Sequence, residues 1–322
     1  MTRYMSRVVC SARLFIKAAP HPDLHREPPR RIFAVSSFML ALNAEALINF
    51  IREEGLRELP SPITEKLTEY LKLYFIIGGM PEAVSAWIET NNLMEVEERQ
   101  RAILTKYDHG FSRRAPLKYT QKLRDIWESV PLQLAKDNKK YFYSEARKGA
   151  RFREYDFATL WLIDCGLLRK VNKIDKAAIP LKFYENYNVF KLYFLDVGLL
   201  RAMSELPYSS VLDDVRMFDE FKGALTEQFV MMELTGKKDI RNLYYWVSDG
   251  SAEVDFVFAD GNDIYPVEVK AFPNSRSKSL KSYRDRYNPR RAIRASLNNL
   301  RLDGGLLNVP LFALFNLENY LR

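Results

Sequence analysis

The chain has 322 residues, 47% hydrophobic and 28% charged, which is the balance of a globular protein long enough for two or three domains. Its two cysteines, Cys10 and Cys165, exclude a disulfide framework or a cysteine-built zinc site and fit a reducing cytoplasm. The net charge is +8, and no apolar run reaches membrane-spanning length, so no membrane partner is expected.

The first thirty or so residues, with "APHPDLHREPPRR", read as a basic, Pro-rich lead-in, assigned to 1–32. From 33 to 115 the pattern is helical. "SSFMLALNAEALINFIREEG" predicts one helix with a Ser cap and a stop at Gly55. "SPITEKLTEYLKLYFIIGG" predicts another, capped by Ser61 and ended by Gly78-Gly79. "MPEAVSAWIETNN" and "LMEVEERQRAILTKY" complete a small bundle, in which His109 reads as a surface residue.

A second unit is assigned to 116–210. "KYTQKLRDIWESVPLQLAKD" and "REYDFATLWLIDCGLL" are amphipathic helices, the latter with an apolar stripe through Phe157, Leu160, Trp161 and Leu168. A short helical turn, "YFYSEARKGA", separates them. "RKVNKID" then reads as one strand of a wing, and "FKLYFLDVGLL" as an apolar strand and turn. Helix, short helix, longer helix and β-wing is the order of a winged helix-turn-helix.

The third unit, 211–322, opens with a helix, "EFKGALTEQFVMMEL". It continues through the strand "NLYYWVS", a hairpin of "EVDFVF" and "IYPVEVK", a basic helix "SKSLKSYRDRY", and strands at "RRAIRAS" and "VPLFALFNL". That order predicts an α/β domain with a mixed sheet. The whole is therefore α+β and multidomain.

Charge is unevenly placed. Ten Lys or Arg lie from Lys270 to Arg301 against Asp285 alone, and seven lie from Lys136 to Arg153 against Asp137 and Glu145. Such local fields suit DNA, although a solvated basic face is the plainer reading of either run by itself. Lys148, Arg151, Arg153, Lys278, Lys281, Arg284 and Arg286 are the candidate backbone contacts.

The hairpin carries the candidate chemistry. Strand alternation places Glu268 and Lys270 on one face, and pairing of the two strands brings Asp255 beside them. Two carboxylates and a neighbouring carbonyl suit magnesium or manganese, and a lysine beside them can orient a water. The alternative for each acid is a rim salt bridge, such as Glu268 with Lys270 or Arg276.

Asp255 followed by Glu268-x-Lys270, with Glu227 on the preceding helix, resembles the PD-(D/E)xK nuclease superfamily. In that resemblance Asp255 and Glu268 are metal ligands, and Lys270 and Glu227 are catalytic. "FIIGGMPEAVSAWIET", "QLAKDNKKYFYS", "KGARFREYDFATLWLIDCGLL", "FKLYFLDVGLL", "FKGALTEQFVMMEL" and "YYWVSDGSAEVDFVF" extend the likeness over 33–322. Together they resemble a bacterial and archaeal family of AAA-type ATPases ending in a domain catalogued as DUF 4143. The resemblance implies a helical lid, a winged helix and a nuclease-like C-terminal domain.

It also implies a P-loop, which is missing. The one Gly-Lys pair is Gly236-Lys237, with Met231 in the place of the first glycine and Lys238 in that of Ser or Thr. No ATP-binding residue is assigned, and no ATP hydrolysis is expected of this chain alone. It reads as a truncated or split member, with DNA, a separate ATPase core or a second copy as partners. The expected function is metal-dependent DNA cleavage, and the alternative is a non-catalytic DNA- or protein-binding module.

Overall fold

The structure, a computed structural model, describes residues 32–212, 219–250, 252–271 and 278–322. Nearly all of the Pro-rich lead-in, and Arg276, lie outside these residues.

The helical part begins with α1 (Val35–Ala41) and α2 (Glu45–Glu53). The sequence predicts one helix here. The chain instead breaks at Leu42–Ala44, where Asn43 takes a φ of +60°, a left-handed turn that Asn tolerates. Next is α3 (Ser61–Ile77), in which Pro60 holds the N-cap position and Ser61 is the first helical residue. It ends as predicted at Gly78, whose φ of +75° has no Cβ penalty. Helices α4 (Pro81–Thr90) and α5 (Leu93–Arg114) follow, and the Asn92 side chain caps α5 by accepting from the Met94 amide. His109 is exposed on α5.

Helices α6 (Leu117–Leu134), α7 (Tyr143–Ala146) and α8 (Phe152–Asp164) lead into strand β1 (Leu168–Ile174). The stripe predicted for α8 is only partly buried. Tyr155, Ala158, Trp161 and Leu162 face the core, whereas Phe157 and Leu160 are exposed, Phe157 stacking on Tyr119. Periodicity identifies an apolar face but not whether another element covers it. Strand β2 (Glu185–Phe194) is followed by a helix, α9 (Val197–Met203), where a turn was expected. Asp196 starts that helix by accepting the Leu199 amide.

After α10 (Tyr208–Leu212) and α11 (Asp219–Thr235) come β3 (Tyr244–Val247), β4 (Glu253–Asp260) and β5 (Asp263–Val269). The β4–β5 turn is two residues, with Gly261 at a φ of +58°, as a tight hairpin requires. Helix α12 (Lys278–Tyr287), β6 (Ala292–Ser296), β7 (Arg301–Asp303), β8 (Leu306–Pro310) and α13 (Leu317–Leu321) complete the chain. "VPLFALFNL" is thus strand only to Pro310, and a 3₁₀ turn spans Leu311–Asn316.

The eight strands of the described residues form one mixed sheet, ordered β2-β1-β3-β4-β5-β6-β8-β7. Strand β1, expected as one strand of a wing, pairs antiparallel with β2 and parallel with β3 through Asn172–Ile174, so both strands extend the sheet. One face of the sheet, the helical part and α11 share a continuous apolar core from Val35 to Leu321. The other face carries a smaller core, with Trp246, Val254 and Val257 under Leu280 and Tyr283 of α12. Burying both faces is what a sheet of near-continuous apolar strands requires.

Candidate functional site

The site forms where β4 leaves its regular pairing. Along β3, Tyr244 pairs with Val257 and Trp246 with Val254, so β4 carries one extra residue within Asp255–Phe256. A bulge turns its residues out of simple alternation. Val254 lies in the core under α12, yet Phe256 lies in the core on the α11 side. On the other flank, the β4–β5 ladder starts at Phe256 and Val267. The Asp255 carboxylate instead takes the Val269 amide, with Oδ2 at 2.7 Å. Strand amides point along the sheet, so this carboxylate lies against the β5 backbone, and the side-chain charges that act on it are Glu227, Lys191 and Lys139.

Glu268 and Lys270 flank Val269. Val267 and Val269 belong to the larger core, so alternation sends Glu268 and Lys270 to the α12 face. There Lys270 Nζ stands 3.1 Å from Glu268 Oε1. Glu268 is 2% exposed and Lys270 is half-buried, so the salt bridge expected as the alternative reading of Glu268 is present, between a buried carboxylate and a partly exposed ammonium. The second oxygen of Glu268, Oε2, is buried with no hydrogen-bond donor among the described residues. An orphaned carboxylate oxygen is costly and calls for a partner.

Glu227 lies on α11 and is buried. Lys139, from the loop between α6 and α7, places its ammonium on Glu227 Oε1. Tyr193 Oη donates to Oε2 at 3.1 Å, and Lys191 Nζ lies 3.8 Å from the same oxygen. Lys191, on β2, is fully buried, also pairs with Glu253, and sits 5.0 Å over the Tyr245 ring. Burial opposes the charge of Lys191, but Tyr193, Glu227, Glu253 and Asp255 together outweigh it and hold its pKa well above the ordinary lysine value. Burial likewise opposes ionisation of Glu227, and Lys139 and Lys191 reverse this, keeping it below the usual carboxylate range. Lys191 and Lys139 also favour the Asp255 carboxylate, but less than burial and Glu227 oppose it. Burial and then the Glu227 charge push it up to about 7.

The four residues singled out in the sequence therefore fall into two pairs. Asp255 and Glu227 interact through charge, Glu268 and Lys270 through a direct contact, and the Val269 amide joins the pairs through Asp255. Sequence reasoning missed Lys139, Lys191, Tyr193 and Glu253. The signal for Lys191 was present, since a lysine inside the apolar strand "VFKLYFL" demands a buried acid.

Among the described residues, no three or more His, Cys, Asp or Glu come together to hold a metal ion. Asp255 and Glu268 are the carboxylates that a magnesium ion would take, and in this structure they answer to different neighbours, Asp255 to Glu227 and Glu268 to Lys270.

The expected DNA contacts are on the surface. Lys148, Arg151 and Arg153 are exposed around the start of α8, and Lys278, Lys281 and Arg286 are exposed on α12. Arg284 is half-buried and donates to the Gly304 carbonyl, and Lys281 pairs with Asp285 at 2.7 Å. Lys237, of the lone Gly-Lys pair, is spent on the Phe315 carbonyl at 2.9 Å. No helix among the described residues is long and apolar enough to cross a membrane.

Residues 222–314 match the family model described as Domain of unknown function (DUF4143), and this part of the chain is such a domain. Residues 68–210 match the model described as Domain of unknown function (DUF8612). No curated protein and no solved structure matches the chain. Lys139, Lys191 and Tyr193 come from the first matched segment and Glu227, Glu253, Asp255 and Glu268 from the second, so the site is composed of both.

Proposed function

We propose that the chain carries a nuclease-like site of the PD-(D/E)xK type, acting on DNA with magnesium or manganese. In this reading Asp255 and Glu268 hold the cation, Lys270 orients the attacking water, and Glu227 supports the site from α11. The bound cation supplies neutralisation of the charge that builds on the phosphate. Lys148, Arg151 and Arg153 near α8, with Lys278, Lys281 and Arg286 on α12, hold the DNA backbone without reading sequence. Units 33–115 and 116–210 serve as a lid and a winged helix, and an ATPase core on another chain is the partner.

The observation that carries the reading is a shortage of positive charge. Glu268 Oε2 is buried without a donor among the described residues, and Asp255 is pushed up to about 7 beside Glu227. A carboxyl raised by desolvation and a like charge, as Asp255 is, is relieved by a proton or a cation. A cation that binds only the folded state also stabilises it, by about 2.7 kcal/mol at a hundred times its Kd. The test is the melting temperature of wild type and Asp255→Asn, each with and without manganese, alongside cleavage of supercoiled and branched DNA. Wild type should gain stability and D255N should not. If neither responds, the cation reading is wrong.

One observation favours the second reading, a binding module that does not cleave. Glu227 and Glu253 already have ammonium partners in Lys139 and Lys191. Salt-dependent DNA binding without cleavage, and without a manganese response, would select it.

A further inference from the structure

The outward face of α8 carries a stripe that the proposed reaction does not use. Arg153, Phe157, Leu160 and Asp164 recur at intervals of four, three and four residues, so they line one side of the helix. All four are exposed, Phe157 at 43% and Leu160 at 48%. Tyr155, Ala158, Thr159 and Leu162 lie on the other side and are buried. The adjoining α6 widens the apolar strip, since Tyr119 stacks on Phe157 with 4.2 Å between ring centroids. Glu154 and Asp156 on α8, and Lys118 and Lys122 beside the Tyr119 ring, give the strip a mixed polar border. An apolar centre within a polar border is the anatomy of a protein interface.

The stripe ends in opposite charges, Arg153 near the start of α8 and Asp164 at its last residue. Neither makes a salt bridge among the described residues. A stripe of this order is complementary to itself when turned end for end. Packing two α8 helices antiparallel, about a two-fold axis between Ala158 and Thr159, sets Phe157 against Leu160 of the second copy. The same axis sets Arg153 against Asp164 of the second copy, and symmetry makes each contact twice. Parallel packing would instead oppose Arg153 to Arg153 and Asp164 to Asp164, and like charges so placed repel. Intervals of four and three also keep a seam facing a neighbouring helix. A nucleic acid fits this face poorly. Asp164, Glu154 and Asp156 repel phosphate, and Phe157 and Leu160 offer it no hydrogen bond.

We propose that the outward face of α8 is a two-fold interface with a second copy of this chain. Phe157 and Leu160 form its centre, and an Arg153–Asp164 pair closes it at each end. One pair of helices is a small contact, so the dimer is weak, in the micromolar range or above. Arg153 is also among the proposed DNA contacts, so DNA and the second copy compete for it, whereas Lys148 and Arg151 lie outside the stripe.

The experiment is sedimentation velocity of the full chain at low salt, over a concentration series from low micromolar to submillimolar. Wild type should dimerise reversibly. R153D and D164R each place two like-charged pairs across the axis, and each should weaken dimerisation by about tenfold or more. Mixed in equal amounts, the two variants should associate with each other about as well as wild type does, because every facing pair is then opposite in sign. The double variant R153D/D164R should regain association for the same reason. A wild type that stays monomeric at submillimolar concentration overturns the proposal. So does a dimer that both single variants leave intact, since its interface then lies elsewhere. Weakened single variants whose mixture fails to associate would refute the antiparallel register, and the proposal with it. Should either variant fail to fold, Leu160→Glu decides: it should abolish the dimer, and a dimer that survives it overturns the proposal.

Discussion

Asp196 is the buried acid whose perturbation can be worked out most fully. It is fully buried at the start of α9, accepting the Leu199 amide at 2.9 Å and the Gly79 amide at 2.7 Å. It thereby fastens the α3–α4 junction to the end of β2. Burial raises its pKa to about 6, opposed by its backbone hydrogen bonds to Gly79, Leu199 and Gly198. An unfolded Asp titrates near about 3.9, so the shift is about 2 units, or ~3 kcal/mol. Between those values the folded state holds a proton that the unfolded state has lost. The contribution of Asp196 is thus fully present below about pH 4 and is lost as pH rises through about 6. Asp196→Asn removes the titration but turns an amide donor toward one of the two N–H groups, at a cost of about 1–3 kcal/mol. Denaturant melts of wild type and D196N at pH 4 and pH 7.5 isolate the effect, because other titrating groups cancel in the difference. The cost of the substitution should be larger at pH 4 by ~3 kcal/mol. An equal cost at both pH values would refute a strained, buried carboxylate.

Gly78→Ala should unfold the α3–α4 junction, because a Cβ there would stand 2.2 Å from Asp196 Oδ1 at a φ of +75°; loss of a cooperative thermal transition checks it. Glu227→Gln should destabilise by about 3–5 kcal/mol, since it strips Lys139 and Lys191 of their shared acid, and the E227Q/K139Q double variant should recover part of that in chemical denaturation. Replacing Lys148, Arg151 and Arg153 together by Ala should weaken duplex binding and flatten its dependence on log salt by up to about 0.9 per lost phosphate contact, read by fluorescence anisotropy. Phe157→Ala, at an exposed ring on α8, should change stability by less than about 1 kcal/mol, whereas Trp161→Ala on the buried side should cost about 3–5 kcal/mol.

The sequence by itself determined the local features. The 3.6-residue period located the long helices, Gly78 marked the end of α3, and alternation with a turn at Gly261 gave the β4–β5 hairpin. Glu268 and Lys270 could be placed on one face because a strand repeats every two residues, whatever surrounds it. What only the tertiary structure decided depends on partners far away in the chain. The extra residue at Asp255–Phe256 exists only relative to β3, and it swings Asp255 out of the alternation that the strand alone implies. The β1–β2 hairpin joins the sheet because β3 offers it a parallel neighbour, and a propensity pattern carries no information about neighbours. Phe157 and Leu160 repeat like core residues and remain exposed, Phe157 meeting only the Tyr119 ring among the described aromatic contacts, because periodicity does not say what covers a face. Lys139 and Lys191 reach Glu227 and Glu253 across 88 and 62 residues. A buried charge must find its opposite in space, and that demand fixes the composition of the site without fixing any spacing in the sequence.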